Sequence, residues 1–194
     1  MDAEEVFSIM VASLAIGFVF ASTYLYRLNV YSFVGVFLIA SFSVIAHEMA
    51  HRQVARIMNC YSRYTLYPLG LLVTLLSSLP VIPIKIILPG VTVIIPRTYD
   101  HSELKRIEGI TSVAGPLVNI SFSIAGFISM GVLGPLEGMS HYIRYFIYIN
   151  SWIALFNLLP IPPLDGSKVL RWSLPLYLIS FVAALALFIR TVGY

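Results

Sequence analysis

The segment VYSFVGVFLIASFSVIAHEMAH, from Val30 to His51, carries a short polar motif at the end of a long apolar run. Positions i and i+4 of an α-helix share one face, so the imidazoles of His47 and His51 can bind a single metal ion. Glu48 follows His47 directly and can reach a water on that ion. Because imidazole and carboxylate groups are costly inside a bilayer, their place in such a segment indicates function.

The composition is that of a membrane protein. Of 194 residues, 59% are hydrophobic and only 11% are charged, whereas an average soluble domain has roughly 25% charged residues. A soluble core of this size cannot hide so much apolar surface, so we expect the lipid bilayer to cover part of it. The net charge of +3 is spread out and forms no basic stripe, so no nucleic-acid partner is expected.

Five segments are apolar and long enough to cross a bilayer as helices. They are Val6 to Tyr26, Val30 to about Ile57, Thr111 to Leu133, His141 to Leu159 and Ser173 to Ile189. The N-terminus lacks the basic start of a signal peptide, which favours a retained first helix. Between the third and fourth spans, Gly134, Pro135 and Gly138 predict a turn.

The segment after the second span is apolar but rich in proline and glycine. We expect a short or broken helix from about Leu69 to Leu79, followed by one or two extended strands. The pattern leaves open whether residues 69–95 form a full span, a re-entrant helix or a hairpin. The polar stretch from Arg97 to Gly109 predicts a surface loop or a short interfacial helix. The predicted fold class is therefore an all-α polytopic membrane protein with five to six transmembrane helices and a short irregular or β-hairpin insertion.

The distribution of arginine and lysine predicts the orientation of the five spans. Three basic residues would lie on one side of the membrane, namely Arg27, Arg144 and Arg190. Eight would lie on the other, namely Arg52, Arg56, Arg63, Arg97, Lys105, Arg106, Lys168 and Arg171. This bias places the H-E-M-A-H motif and Asp165 toward the cytoplasmic side.

The embedded ionisable residues match the needs of a catalytic zinc site. Nine carboxylates are present, and only Glu48 and Asp165 are expected inside or against apolar segments; the others fall in the N-terminal tail or in loops, at Asp2, Glu4, Glu5, Asp100, Glu103, Glu108 and Glu137. A catalytic zinc site needs three protein ligands, a water and a base. We therefore expect one Zn²⁺ per chain, ligated by His47, His51 and Asp165, with Glu48 as the general base toward a zinc-activated water.

Two embedded amides are further candidates. Asn157 ends the predicted fourth span, just before the sequence PIPPLDG at residues 160–166, where the prolines prevent a regular helix and allow the Asp165 carboxylate to be re-aimed. The Asn157 amide could donate to a tetrahedral oxyanion, and Asn119 could act similarly. Each could instead cap a helix end or bond a neighbouring helix.

Three motifs together resemble the site-2 protease family of intramembrane zinc metalloproteases. They are H-E-x-x-H at His47–His51, G-P-x-x-N at Gly115–Asn119, and N-x-x-P-x-P-x-x-D-G at Asn157–Gly166. The resemblance implies a three-helix catalytic core at about residues 30–172 and cleavage of transmembrane protein substrates near the cytosolic face, often in regulated intramembrane proteolysis. The composition predicts one membrane domain over residues 1–194, with no room for the PDZ or CBS domain that some family members add. A compact chain without a signal peptide is expected in a prokaryotic cell membrane rather than in an organelle.

Two other functions compete with the protease. The same side chains could pass an ion through a transporter, although the polar groups cluster toward one face. A catalytically dead relative could bind membrane helices, although the intact Glu48 argues against it. The sequence leaves the substrate and the oligomeric state open.

Overall fold

A computed structural model describes residues 1–96, 100–133 and 139–192. The elements within these ranges are α1 (Ala3–Tyr26), α2 (Val30–Ile57), β1 (Tyr61–Leu66), α3 (Pro68–Leu76), β2 (Gly90–Ile95), α4 (His101–Leu133), α5 (Met139–Asn157), α6 (Asp165–Trp172) and α7 (Leu174–Val192). The turn predicted at Gly134, Pro135 and Gly138 lies outside the described residues, and so does Arg97.

Four of the described helices, α1, α2, α4 and α7, are long and apolar enough to cross a bilayer. The chain is therefore a mostly helical, polytopic membrane protein. The predicted fourth span corresponds to α5, which is more polar and is not among these four. It packs against α2, α4 and α7, and buried Ile149 and Ile153 join the main apolar cluster. A helix covered by protein on several sides needs less apolar surface than one that faces lipid.

The insertion after α2 contains a short helix and a two-stranded sheet. The strands are antiparallel, from the pair Tyr61↔Ile95 to the pair Leu66↔Gly90. The predicted short helix is confirmed by α3, and the extended structure expected after it by β2. The first strand was not expected, because the prediction placed all extended structure after the short helix. Its residues, YSRYTL, include the aromatic and β-branched types that favour strands.

From His101 onward, the polar stretch before the third predicted span is helical, which agrees with the helical alternative of the prediction and not with the loop, although the helix is not a short separate one. One continuous helix, α4, begins at His101 and runs through Pro116 to Leu133. Asp100 caps it, because its carboxylate accepts hydrogen bonds from the backbone N–H (2.8 Å) and hydroxyl (2.9 Å) of Ser102. These hydrogen bonds lower the pKa of Asp100 below its usual value. Helix α6, which begins at Asp165, was not predicted.

The expectation that Glu5 lies in a polar tail is also wrong. Glu5 belongs to the first turns of α1 and is buried, and its carboxylate forms an ion pair with the buried guanidinium of Arg52 on α2. The same carboxylate accepts a hydrogen bond from the backbone N–H of Tyr64 on β1, at 3.3 Å. One buried carboxylate thus joins α1, α2 and the sheet next to His51.

We predict that Glu5→Ala destabilises the fold by about 3–5 kcal/mol, because it leaves the Arg52 charge buried and unpaired. The measurement is SDS-driven unfolding in mixed micelles. The double variant Glu5→Gln, Arg52→Met should recover much of this loss. Arg63→Gln is the control. Because Arg63 pairs with the exposed Glu4, this variant should unfold like the wild type. Equal stability of Glu5→Ala and Arg63→Gln would contradict the assignment.

Candidate metal centre

Helix α2 presents His47 and His51 on one face, inside the protein. Only 3% of His47 and 4% of His51 is exposed. The Nδ1 of His47 donates to Oδ1 of Asn119 at 2.6 Å, and the Nδ1 of His51 donates to the carbonyl of Thr111 at 2.7 Å. Because each Nδ1 carries the proton, each Nε2 keeps its lone pair for a metal. Both acceptors belong to α4, which therefore fixes the orientation of both rings.

Asp165 reaches the same place from the other end of the chain. Helix α5 ends at Asn157, and a proline-rich turn leads to α6, whose first residue is Asp165. The turn is tight at Gly166, where an added Cβ would lie 2.6 Å from the carbonyl oxygen of Leu159. Only glycine allows such a close approach. The irregular backbone expected before Asp165 therefore does re-aim this carboxylate, and a helix holds it.

The three predicted ligands converge on one point. The two Nε2 atoms lie 3.0 Å apart. Oδ2 of Asp165 lies 3.3 Å from Nε2 of His47 and 3.1 Å from Nε2 of His51. Tetrahedral zinc with bonds of about 2.0–2.1 Å places its ligand atoms roughly 3.3 Å apart. Among the described residues, this is the group of histidine and acidic side chains whose ligand atoms come close enough to share an ion. The donor set fits zinc.

Gly115 on α4 leaves room at that point. A Cβ added there would lie 2.6 Å from Nε2 of His47 and closer still to Nε2 of His51. The helix therefore passes directly over the two ligand nitrogens, and any larger residue would displace them from their present positions. This accounts for glycine at the start of the G-P-x-x-N motif.

Asn119 bonds neighbouring helices, which was the alternative to its predicted role as an oxyanion donor. Its side chain is fully buried, and its amide Nδ2 donates to Oδ1 of Asn150 at 2.8 Å and to the carbonyl of Ser43 at 3.3 Å. Asn150 in turn donates to the Ser43 hydroxyl at 3.0 Å. Because both amide protons are engaged, the expected donation from Asn119 to an oxyanion is not available. The Oδ1 atom instead holds His47.

Glu48 faces the same cavity as the three ligands. This cavity has a volume of about 50 Å³, and Asn157, Thr92 and Lys168 also line it. A water needs only about 10–15 Å³ measured this way, so the space can hold a metal with water. The hydroxyl of Thr92 on β2 donates to Oε2 of Glu48 at 2.7 Å. The sheet thus orients the candidate base.

Asn157 ends α5 as expected, and its half-buried side chain lines the cavity. One amide proton is donated to the carbonyl of Ile153 at 3.0 Å. The second amide proton has no protein acceptor within the described residues. The geometry therefore leaves Asn157, unlike Asn119, with a donor for a group in the cavity.

Sequence reasoning missed three residues that support this site. Thr111 acts through its backbone carbonyl, which no residue pattern reveals. Thr92 lies on a strand whose pairing depends on the fold. Asn150 does have a signal, since it is a polar amide inside a predicted span, and embedded polar groups in such segments usually have partners.

The fold and the site define a membrane protein with a buried candidate metal centre. Residues 135–177 match the model of "Peptidase family M50". The chain is 31% identical over 170 residues to "Putative zinc metalloprotease MJ0611" of Methanocaldococcus jannaschii, which covers 87% of this chain and 84% of that protein. It is 29% identical over 165 residues to "Putative zinc metalloprotease YwhC" of Bacillus subtilis, covering 77% and 73% respectively. No solved structure matches.

The chain belongs to peptidase family M50, the site-2 protease family. The resemblance drawn from the three motifs is therefore confirmed.

We predict that Gly115→Ala abolishes metal binding, because its methyl group would clash with the Nε2 atoms of His47 and His51 and push both ligands apart. The measurement is zinc per chain by mass spectrometry of the detergent-purified protein. Gly131→Ala on the same helix is the matched control, since an added Cβ there meets nothing within 4 Å. Zinc at the wild-type level in a folded Gly115→Ala protein would contradict the placement of the ion.

We predict that Asn119→Ala lowers zinc affinity by about 10–100-fold, because His47 loses the acceptor that fixes its ring. Asn150→Ala, one contact further away, should lower it less. Zinc competition with a chromophoric chelator measures both. Ser121→Ala, an exposed position on α4, should bind zinc like the wild type; equal affinities in all three variants would contradict the network.

Proposed function

We propose that the chain is a zinc-dependent intramembrane endopeptidase. It cleaves peptide bonds in or near transmembrane segments of other proteins, as in regulated intramembrane proteolysis. The observation that carries the proposal is the joint placement of Glu48 and of the ligands His47, His51 and Asp165 around one cavity. Two of these ligands belong to a helix long enough to span a bilayer, and family membership supports the zinc and the protease chemistry.

Each side chain has a distinct task in this mechanism. His47, His51 and Asp165 hold the ion, and bound zinc would supply the Lewis acidity that makes water nucleophilic near neutral pH. Glu48, held by Thr92, accepts a proton from the attacking water and delivers it to the leaving amine as the peptide C–N bond breaks. Asn157 donates a hydrogen bond from its remaining amide N–H to the developing oxyanion.

The proposed orientation places the active site toward the cytoplasmic side of a prokaryotic cell membrane. The support is the excess of arginine and lysine near the ends of the helices that deliver the ligands, including Arg52, Arg56 and Lys168. The bacterial and archaeal origin of the two relatives agrees with this membrane.

Glu48→Gln is the direct test of the catalytic assignment. The variant keeps the shape of the side chain but cannot accept the proton, so cleavage of a transmembrane peptide in liposomes should fall by about 10²–10⁴-fold. Its zinc content should stay at the wild-type level. Glu103→Gln changes an exposed carboxylate paired with Arg106 and serves as the control. Cleavage by Glu48→Gln at the wild-type rate would exclude Glu48 as the base.

Thr92→Val separates the orientation of the base from its chemistry. The variant removes the hydrogen bond to Glu48 but leaves the carboxylate, so we expect a smaller fall, about tenfold, in the rate of cleavage.

Zinc flux into the same liposomes distinguishes the transporter alternative. Flux without cleavage in the wild type would favour the transporter and contradict the protease.

A further inference from the structure

A second cavity, of about 230 Å³, adjoins the one at the metal centre. The two cavities share six lining residues, namely Val91, Thr92, Ile94, Ser112, Pro163 and Lys168. The shared wall includes part of β2, one residue of α4 and one of α6. The second cavity therefore lies next to the cluster of ligands along β2, where it is within reach of a polypeptide bound at the metal centre.

Ser112 supplies a buried polar group to this shared wall. Only 1% of the residue is exposed, and its hydroxyl has no hydrogen-bond partner among the described protein atoms. It precedes Gly115 by three residues, so both lie on the face of α4 that covers the metal centre. A buried hydroxyl without a partner is unfavourable, which indicates that a ligand group completes it.

Lys168 supplies a positive charge to the same wall. It follows Asp165 by three residues on α6, so the two side chains lie on one face of the helix. The half-buried Lys168 has no ion pair or hydrogen bond within the described ranges, whereas the nearby Glu108 lies 3.7 Å from the guanidinium of Arg171. An ammonium group and an unpartnered hydroxyl that line the same cavity provide suitable donors for a carboxylate.

We propose that Lys168 and Ser112 form a subsite that binds an acidic side chain of the substrate next to the scissile bond. This inference rests on the proposed function, because it names the substrate chemistry of the same site. Each lies three positions, or about 4.5 Å of helical rise, from a residue at the metal centre, Ser112 from Gly115 and Lys168 from Asp165. An extended peptide rises roughly 3.3 Å per residue, so the acidic residue is one or two positions from the bond that is cut.

The test uses small ligands and does not require a known substrate. Peptidyl hydroxamates bind zinc through the hydroxamate and can carry Glu, Gln or Lys one, two or three residues away, in either chain direction. Calorimetry of the zinc-loaded, detergent-solubilised protein measures their affinities. We expect at least about tenfold tighter binding of the Glu ligand than of the Gln ligand at one position.

Three variants assign the preference to the subsite. Lys168→Met should bind the Glu and Gln ligands equally, and Lys168→Glu should prefer Lys at the same position. Ser112→Ala should reduce the preference by a smaller factor, about threefold. Lys105→Met is the control, since Lys105 is exposed on the first turns of α4 and lines neither cavity.

The outcomes separate this inference from the proposed function. No preference for Glu in the wild type, or the same preference in Lys168→Met, would overturn the subsite even if the protein cleaves peptides. Loss of zinc in Lys168→Met would assign the residue to the metal centre and also overturn the subsite. Failure of every hydroxamate to bind would remove the metal centre and the subsite together. A Lys168-dependent preference without peptide cleavage would support the subsite and contradict the protease.

Discussion

Two imidazole nitrogens and one carboxylate oxygen lie within 3.3 Å of each other inside the protein, and this close approach constrains how the other elements pack. Such a group is costly to bury unless an ion balances it and hydrogen bonds fix each ring. Helix α2 supplies the histidines, α6 supplies the carboxylate, and α4 supplies both acceptors for the rings. The remaining elements hold these three helices at the required distance.

Helix α4 meets this constraint through small and polar residues rather than through apolar bulk. Gly115 lets it lie against the ligand nitrogens, Thr111 offers a carbonyl, and Asn119 links His47 to Asn150. Helices in a bilayer associate through close packing and interhelical hydrogen bonds, because lipid is as apolar as their side chains. The polar network therefore sets the geometry of the site and also joins α2, α4 and α5.

The sequence predicts features that depend on local geometry. The spacing of His47 and His51 places them on one face of any helix, and the prolines before Asp165 prevent a regular helix there. The sequence does not reveal features that arise when distant segments meet. The sequence alone assigns Glu5 to a polar tail, because its ion-pair partner Arg52 is 47 positions away. The role of Asn119 depends on Asn150, and β1 forms only because β2 pairs with it after an intervening helix.

Zinc K-edge X-ray absorption on protein containing one zinc per chain is the most direct test of the metal centre. We expect four light ligand atoms at about 2.0–2.1 Å, with the multiple-scattering signal of two imidazoles, and loss of zinc binding in Asp165→Ala. A sulfur ligand at about 2.3 Å, or an unchanged spectrum in Asp165→Ala, would contradict the site formed by His47, His51 and Asp165.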